Sequence, residues 1–209
     1  ILIEGIESAE RNGLSCKILR SSLSELKKII DAGIPPIVIL PGIPEITQHA
    51  SIITGYNDEE KTILHYIQKG NQKGEQQEGA IPQEIFEKEW NEEGQLLIVL
   101  APSEIISSIT FENDSSDKSN RLCFDSERSN ILNNSSESIE YLQKAIQIDP
   151  NNSTAFHLLG SIMNSQNLSD CIKNYEQCLE INNKSYLTFN GLGNFYLKTN
   201  EFEKAENSY

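Results

Sequence analysis

Three histidines and four cysteines are the side chains of this 209-residue sequence best suited to move a proton or attack a carbonyl group near neutral pH. His49 stands out by position. It follows a Pro/Gly-rich loop, residues 41–48, and precedes an apolar run, residues 50–56, which sets it at the mouth of a strand with a hairpin behind it. An imidazole placed there is a candidate general base, although a lone histidine at a strand end is more often a surface or packing residue. His65 and Tyr66 sit on the strand after the hairpin, where alternation sends one to the core and the other to solvent or a cleft. Two histidines on neighbouring strands suggest a metal, yet no third ligand accompanies them, so neither metal nor cofactor is expected. Cys16 lies in a short alternating stretch, away from any helix N-terminus that would lower its thiol pKa, and reads as structural. Cys123, Cys171 and Cys178 lack metal-ligand spacing and read as small buried residues in a reducing compartment, which favours the cytoplasm.

The elements that would position His49 follow from pattern. Residues 2–12 have helical spacing closed by Asn12-Gly13. Ser22 or Ser24 caps a second helix with Leu23, Leu26, Ile29 and Ile30 on its apolar face. Gly33 stops it, and Pro35-Pro36 forces extended chain into a strand over residues 37–40. After the hairpin, residues 69–79, rich in Gly, Gln and Glu, read as a mobile loop. A helix carrying Phe86 and Trp90 and a strand over residues 96–100 close the segment before Pro102.

Gly13-Leu14, the helix at 23–31, the Gly-x-Pro-x-Ile-Val start at residues 33–38, His49 with the apolar strand to Gly55-Tyr56-Asn57, and the hairpin over 61–68 come in a recognisable order. So do Ile81-Pro82-Gln83-Glu84-Ile85-Phe86 and Trp90 before the last strand. Residues 14–100 thereby resemble the second half of a papain-like cysteine peptidase domain of the bacteriocin-processing, double-glycine-leader type (cysteine peptidase family thirty-nine). The resemblance implies an antiparallel sheet half of an α+β domain, with His49 as general base and the thiolate and oxyanion-binding glutamine supplied upstream. It also implies an orienting Asp or Asn on the next strand. Tyr66 occupies roughly that place, and a phenol supplies no carboxylate.

Beyond residue 136 the chain repeats itself. Tyr141, Ala145 and Ile148 of one helix align with Asn174, Cys178 and Ile181 of another, and Phe156, Leu159, Gly160 and Met163 recur as Phe189, Leu192, Gly193 and Tyr196, in both cases 33 residues later. These segments resemble tetratricopeptide repeats. The glycines, with Cys171 and Ala205, let paired helices approach closely, and Tyr175 and Tyr209 fill the space between repeats.

The expected organisation is a papain-like α+β part over residues 1–102, a Ser/Asn-rich linker or degenerate repeat helix over 103–136, and an all-α repeat solenoid over 137–209. Lack of an initial methionine marks the sequence as an internal fragment, so a signal peptide or anchor upstream stays open. A net charge of -14 and a pI near 4.6 argue against nucleic acid, whose binding needs clustered Lys and Arg. No apolar run is long enough to span a membrane. The partner of the array is then a protein or peptide, with Thr154, His157, Asn164, Asn190 and Lys198 as candidate contacts on the first helices. Three functions remain: a cysteine peptidase fragment with an interaction module, a catalytically inactive peptidase-like adaptor, and a scaffold with an unrelated α/β domain.

Overall fold

The computed structural model describes residues 2–41, 48–68 and 76–209. They fall into two compact units, Ile1–Asp114 and Ser115–Tyr209. In the first unit the elements run α1 (Leu2–Arg11), β1 (Ser15–Arg20), α2 (Leu23–Asp31), β2 (Ile37–Pro41), β3 (Gln48–Asn57), β4 (Thr62–Gln68), β5 (Gln76–Pro82), α3 (Gln83–Glu92), β6 (Leu96–Ala101) and α4 (Ser103–Ser108). The strands form one antiparallel sheet in the order β1-β6-β2-β3-β4-β5. Ser22 is the cap of α2, its hydroxyl accepting from the Glu25 amide, and Gly33 leaves that helix with φ +79°. Residues 42–47 and 69–75, in the expected loops, lie outside the described residues. Residues 76–79, expected in the second of these loops, are strand: they pair with β4 in register.

Directly paired residues share a sheet face. Val38 pairs with both Ser51 and Leu97, Leu40 with His49, and Ile53 with His65. That face carries Val38, Leu40, Ile53, Ile63, Leu97 and Val99 against Leu26 and Ile29 of α2 and Phe86 and Trp90 of α3, all buried. A register shift between Ile53 and Gly55 bends β3 there. The turn that follows is tied to α2: the Tyr56 hydroxyl donates to Asp31 at 2.9 Å, while the Lys27 ammonium lies 4.8 Å above the Tyr56 ring and pairs with Asp58.

The first unit does not stop at Pro102. Ile106 is buried in its core, and Ile109 and Phe111 pack on it. Glu25, 2 % exposed, accepts the Glu112 amide at 2.6 Å and the Ser21 hydroxyl at 2.5 Å; Lys28 pairs with Glu112 at 3.1 Å and Lys17 with Asp114 at 2.5 Å. Residues 103–136, read from sequence as one linker or degenerate helix, are therefore divided between the two units.

The second unit is a run of helices: α5 (Ser115–Ile131), α6 (Ser135–Ile148), α7 (Ser153–Ser165), α8 (Cys171–Ile181), α9 (Tyr186–Lys198) and α10 (Phe202–Ser208). Asn133, Asn167 and Asn200 stand at the turn inside each successive pair with φ of 61°, 58° and 61°, the left-handed conformation asparagine tolerates at a helix end. The sequence pattern left the segment before α6 open between a linker and a degenerate repeat helix. α5 takes that place, and its inward face is Ser116, Ser119, Cys123 and Ser126, all buried. Short side chains bring the backbones together while their hydroxyls are satisfied across the gap: Ser119 donates to the Ala145 carbonyl at 2.9 Å and Ser126 meets Ser138 at 2.6 Å. A core face made of serine carries little hydrophobic signal, which is why its helical pattern is weak in the sequence.

Candidate functional site

His49 enters β3 one residue after its start, opposite Leu40, near the end of β2. Its Nδ1 lies 2.9 Å from the Pro41 carbonyl oxygen. A carbonyl only accepts, so Nδ1 carries the proton, and in the neutral ring Nε2 holds the lone pair. That is the form a proton acceptor requires. Among the described residues no carboxylate hydrogen-bonds this imidazole.

The neighbouring strand resolves the alternation of His65 and Tyr66. His65 pairs with Ile53 and so shares the face of Ser51 and His49, whereas Tyr66 lies on the other face and is 45 % exposed. Tyr66 is therefore not brought to His49. His65 is buried, with its Nδ1 2.9 Å from Ser51 Oγ. Burial first, and the charge of a protonated His49 second, lower its pKa. The group beside the candidate base is thus an imidazole that favours neutrality. It can relay or accept a hydrogen bond, but it supplies none of the negative charge that stabilises an imidazolium.

Cys16 cannot serve His49. It pairs with Leu100, on the sheet face opposite Val99 and His49, and β6 and β2 intervene between its strand and β3. Three strand spacings amount to roughly 14 Å. Its thiol is buried and outside any disulfide, as are those of Cys123, Cys171 and Cys178. Among the described residues no group of three or more His, Cys, Asp or Glu side chains is placed to hold a metal ion.

In the second unit the repeat seam is built around one aromatic ring. Tyr175 of α8, 1 % exposed, lies against Gly160 of α7 and Gly191 of α9; a Cβ on either glycine would stand 2.7 Å from the ring. Tyr209, just after α10, lies against Gly193 in the same way, at 2.6 Å. Of the five candidate contact residues, three make bonds within the array. His157 Nδ1 is 3.0 Å from Thr188 Oγ1 on α9, and Asn164 is buried, donating to the Gly191 carbonyl at 3.1 Å. Lys198 is exposed and donates to the Asn164 carbonyl at 3.2 Å, where the C-terminal end of α7 favours a cation. Asn190 is exposed and Thr154 is half-buried. The inter-repeat roles of His157 and Asn164 have no local signature, since each depends on a partner about thirty residues away.

A tetratricopeptide-repeat family model matches residues 130–152, which span the end of α5, the turn at Asn133 and all of α6. No curated protein matches the chain. The repeat identifies a helical module of the kind that binds other proteins, attached to an antiparallel-sheet unit. Among the described residues no helix is long and apolar enough to cross a membrane.

Proposed function

We propose that this chain is part of an interaction protein whose repeat array holds a protein or peptide partner, joined to a papain-like unit in which His49 occupies the general-base position. The observation that carries the interaction reading is the seating of Tyr175 between Gly160 and Gly191, which joins successive helix pairs into one continuous surface. The test is selection of displayed peptides on the whole chain. Binders weakened at least tenfold by Asn190→Arg and indifferent to His49→Ala support the reading; binders indifferent to every substitution on α7 and α9 sink it.

The peptidase part is proposed in its inactive form. What favours inactivity is that the titratable neighbour of His49 is His65 rather than a carboxylate, so nothing beside it stabilises an imidazolium. Among the described residues of its own unit, Cys16 is on the opposite sheet face and offers it no thiolate. The decisive experiment uses the full-length protein: labelling with a thiol-directed peptidase probe, with and without His49→Ala. Absence of labelling, or labelling unchanged by the substitution, supports the inactive adaptor. Labelling of a cysteine that falls sharply in the variant would establish an active peptidase with His49 as its base.

A further inference from the structure

Three polar groups converge on one buried hydroxyl at the seam of α7, α8 and α9. Thr188 Oγ1, fully buried, lies 3.0 Å from His157 Nδ1, 3.1 Å from Cys178 Sγ and 2.9 Å from Ser185 Oγ. A hydroxyl donates one hydrogen bond and accepts two. With His157 neutral and Nδ1 accepting, Thr188 donates to the imidazole and accepts from the thiol and from Ser185, so all three contacts are met at once.

Protonation breaks that arrangement. Nδ1 becomes a donor, the Thr188 hydrogen must turn toward Cys178 or Ser185, and one of those must reverse. The seam would also hold a half-buried cation without a counter-charge beside it. The titratable group packed on His157 is Tyr175, with ring centroids 6.1 Å apart, and Cys178 reaches the same Thr188 hydroxyl; both are on α8. Neither bears a charge at or below neutral pH. The α9 side offers the hydroxyls of Ser185 and Thr188. Burial alone pushes the imidazole down to about 4, so no charged side chain of α5 or α6 acts on it.

We propose that the contact between His157 and Thr188 is an acid-released latch, whose protonation frays the first turn of α9 at the seam between the α7–α8 and α9–α10 hairpins while the rest of each hairpin stays folded. The opening is confined to the first turns of α9. Toward the other end of that helix the seam is held by Asn164, through Gly191 and Lys198, and neither contact is undone by mild acid.

The test is amide hydrogen exchange on the whole chain, corrected for intrinsic rates. Between pH 7 and 5 the opening equilibrium at the Thr188 and Phe189 amides, both bonded to the Ser185 carbonyl, should rise about twentyfold, as linkage between a free histidine and the buried one requires. The Thr199 and Asn200 amides should not change by more than about twofold on the same reasoning. His157→Asn keeps an acceptor near Nδ1 and does not titrate, so the rise should vanish. Protection independent of pH in the wild type, or a rise that persists in the variant, overturns the latch. Should His157→Asn not fold, the imidazole of the wild type is titrated by NMR: exchange that rises as His157 protonates upholds the proposal, and exchange that rises without it overturns it.

Discussion

Tyr175 lies so close to Gly160 that an added Cβ would stand 2.7 Å from its Cδ1 and 3.2 Å from the Cys171 carbonyl oxygen. The contact is between a ring held on two sides and a backbone, so neither can retreat. Gly160 and its counterpart Gly193 mark the same contact in successive repeats.

Gly160→Ala should therefore destabilise the second unit by about 1–3 kcal/mol, against the gain of up to about 1 kcal/mol that alanine normally brings to a helix. Gly5→Ala is the control, because nothing lies within 4 Å of its Cβ position in α1. Thermal unfolding of the two variants should shift in opposite directions; a stabilising Gly160→Ala would show that the ring is not seated.

Asn152 caps α7 through the Ala155 amide and donates to Ser119 Oγ at 2.8 Å and Asn120 Oδ1 at 2.9 Å, all out of water. Asn152→Ala should cost about 2–3 kcal/mol from the lost cap and the unmet buried acceptors. Asn152→Asp retains the cap acceptor and loses the donors. Urea unfolding that ranked Asp with the native residue would show that the link to α5 contributes little.

His65 gives the first unit a pH dependence. Its folded pKa is lowered, so folding favours the neutral ring: that stability is complete above the unfolded value of about 6.5 and declines as pH falls from there toward the folded pKa. Unfolding free energy measured from pH 8 to 5 should fall below about pH 6.5. In His65→Asn the His65 part of that slope should disappear. An unchanged slope would mean that other groups carry it.

The segment that closes the first unit is held by the buried carboxylate of Glu25. Glu25→Gln keeps its shape and can set its carbonyl oxygen on the Glu112 amide and its NH2 on the Ser21 hydroxyl, so it exchanges two charge-assisted hydrogen bonds for neutral ones, a loss of about 1–2 kcal/mol. Chymotryptic cleavage after Phe111 should accelerate severalfold while Trp90, packed at 5.4 Å on Phe86, stays protected. Cleavage at the native rate would show that Ile109 and Phe111 hold the segment without Glu25.

Local order was legible because it is written locally. The stop at Gly33, the extended chain after Pro35-Pro36, the cap at Ser22 and the 33-residue recurrence of the glycines each depend on residues a few positions apart or on a repeated pattern. The seat of His49 at a strand entrance belongs with these. α5 was less legible because serines, not apolar residues, form its inner face, and residues 103–114 because their attachment to α2 is a matter of single long-range bonds.

By itself, then, the sequence determined the repeat array, the strand that carries His49, and the opposed faces of His65 and Tyr66. Which of those two joins His49 was decided only by the pairing of β3 with β4, since alternation fixes that neighbours diverge and register fixes where each one points. The same holds for Cys16, set on the opposite face by pairing with Leu100, and for His157, whose partner Thr188 lies 31 residues away. These relationships are long-range contacts between side chains, and no periodicity within one element encodes them.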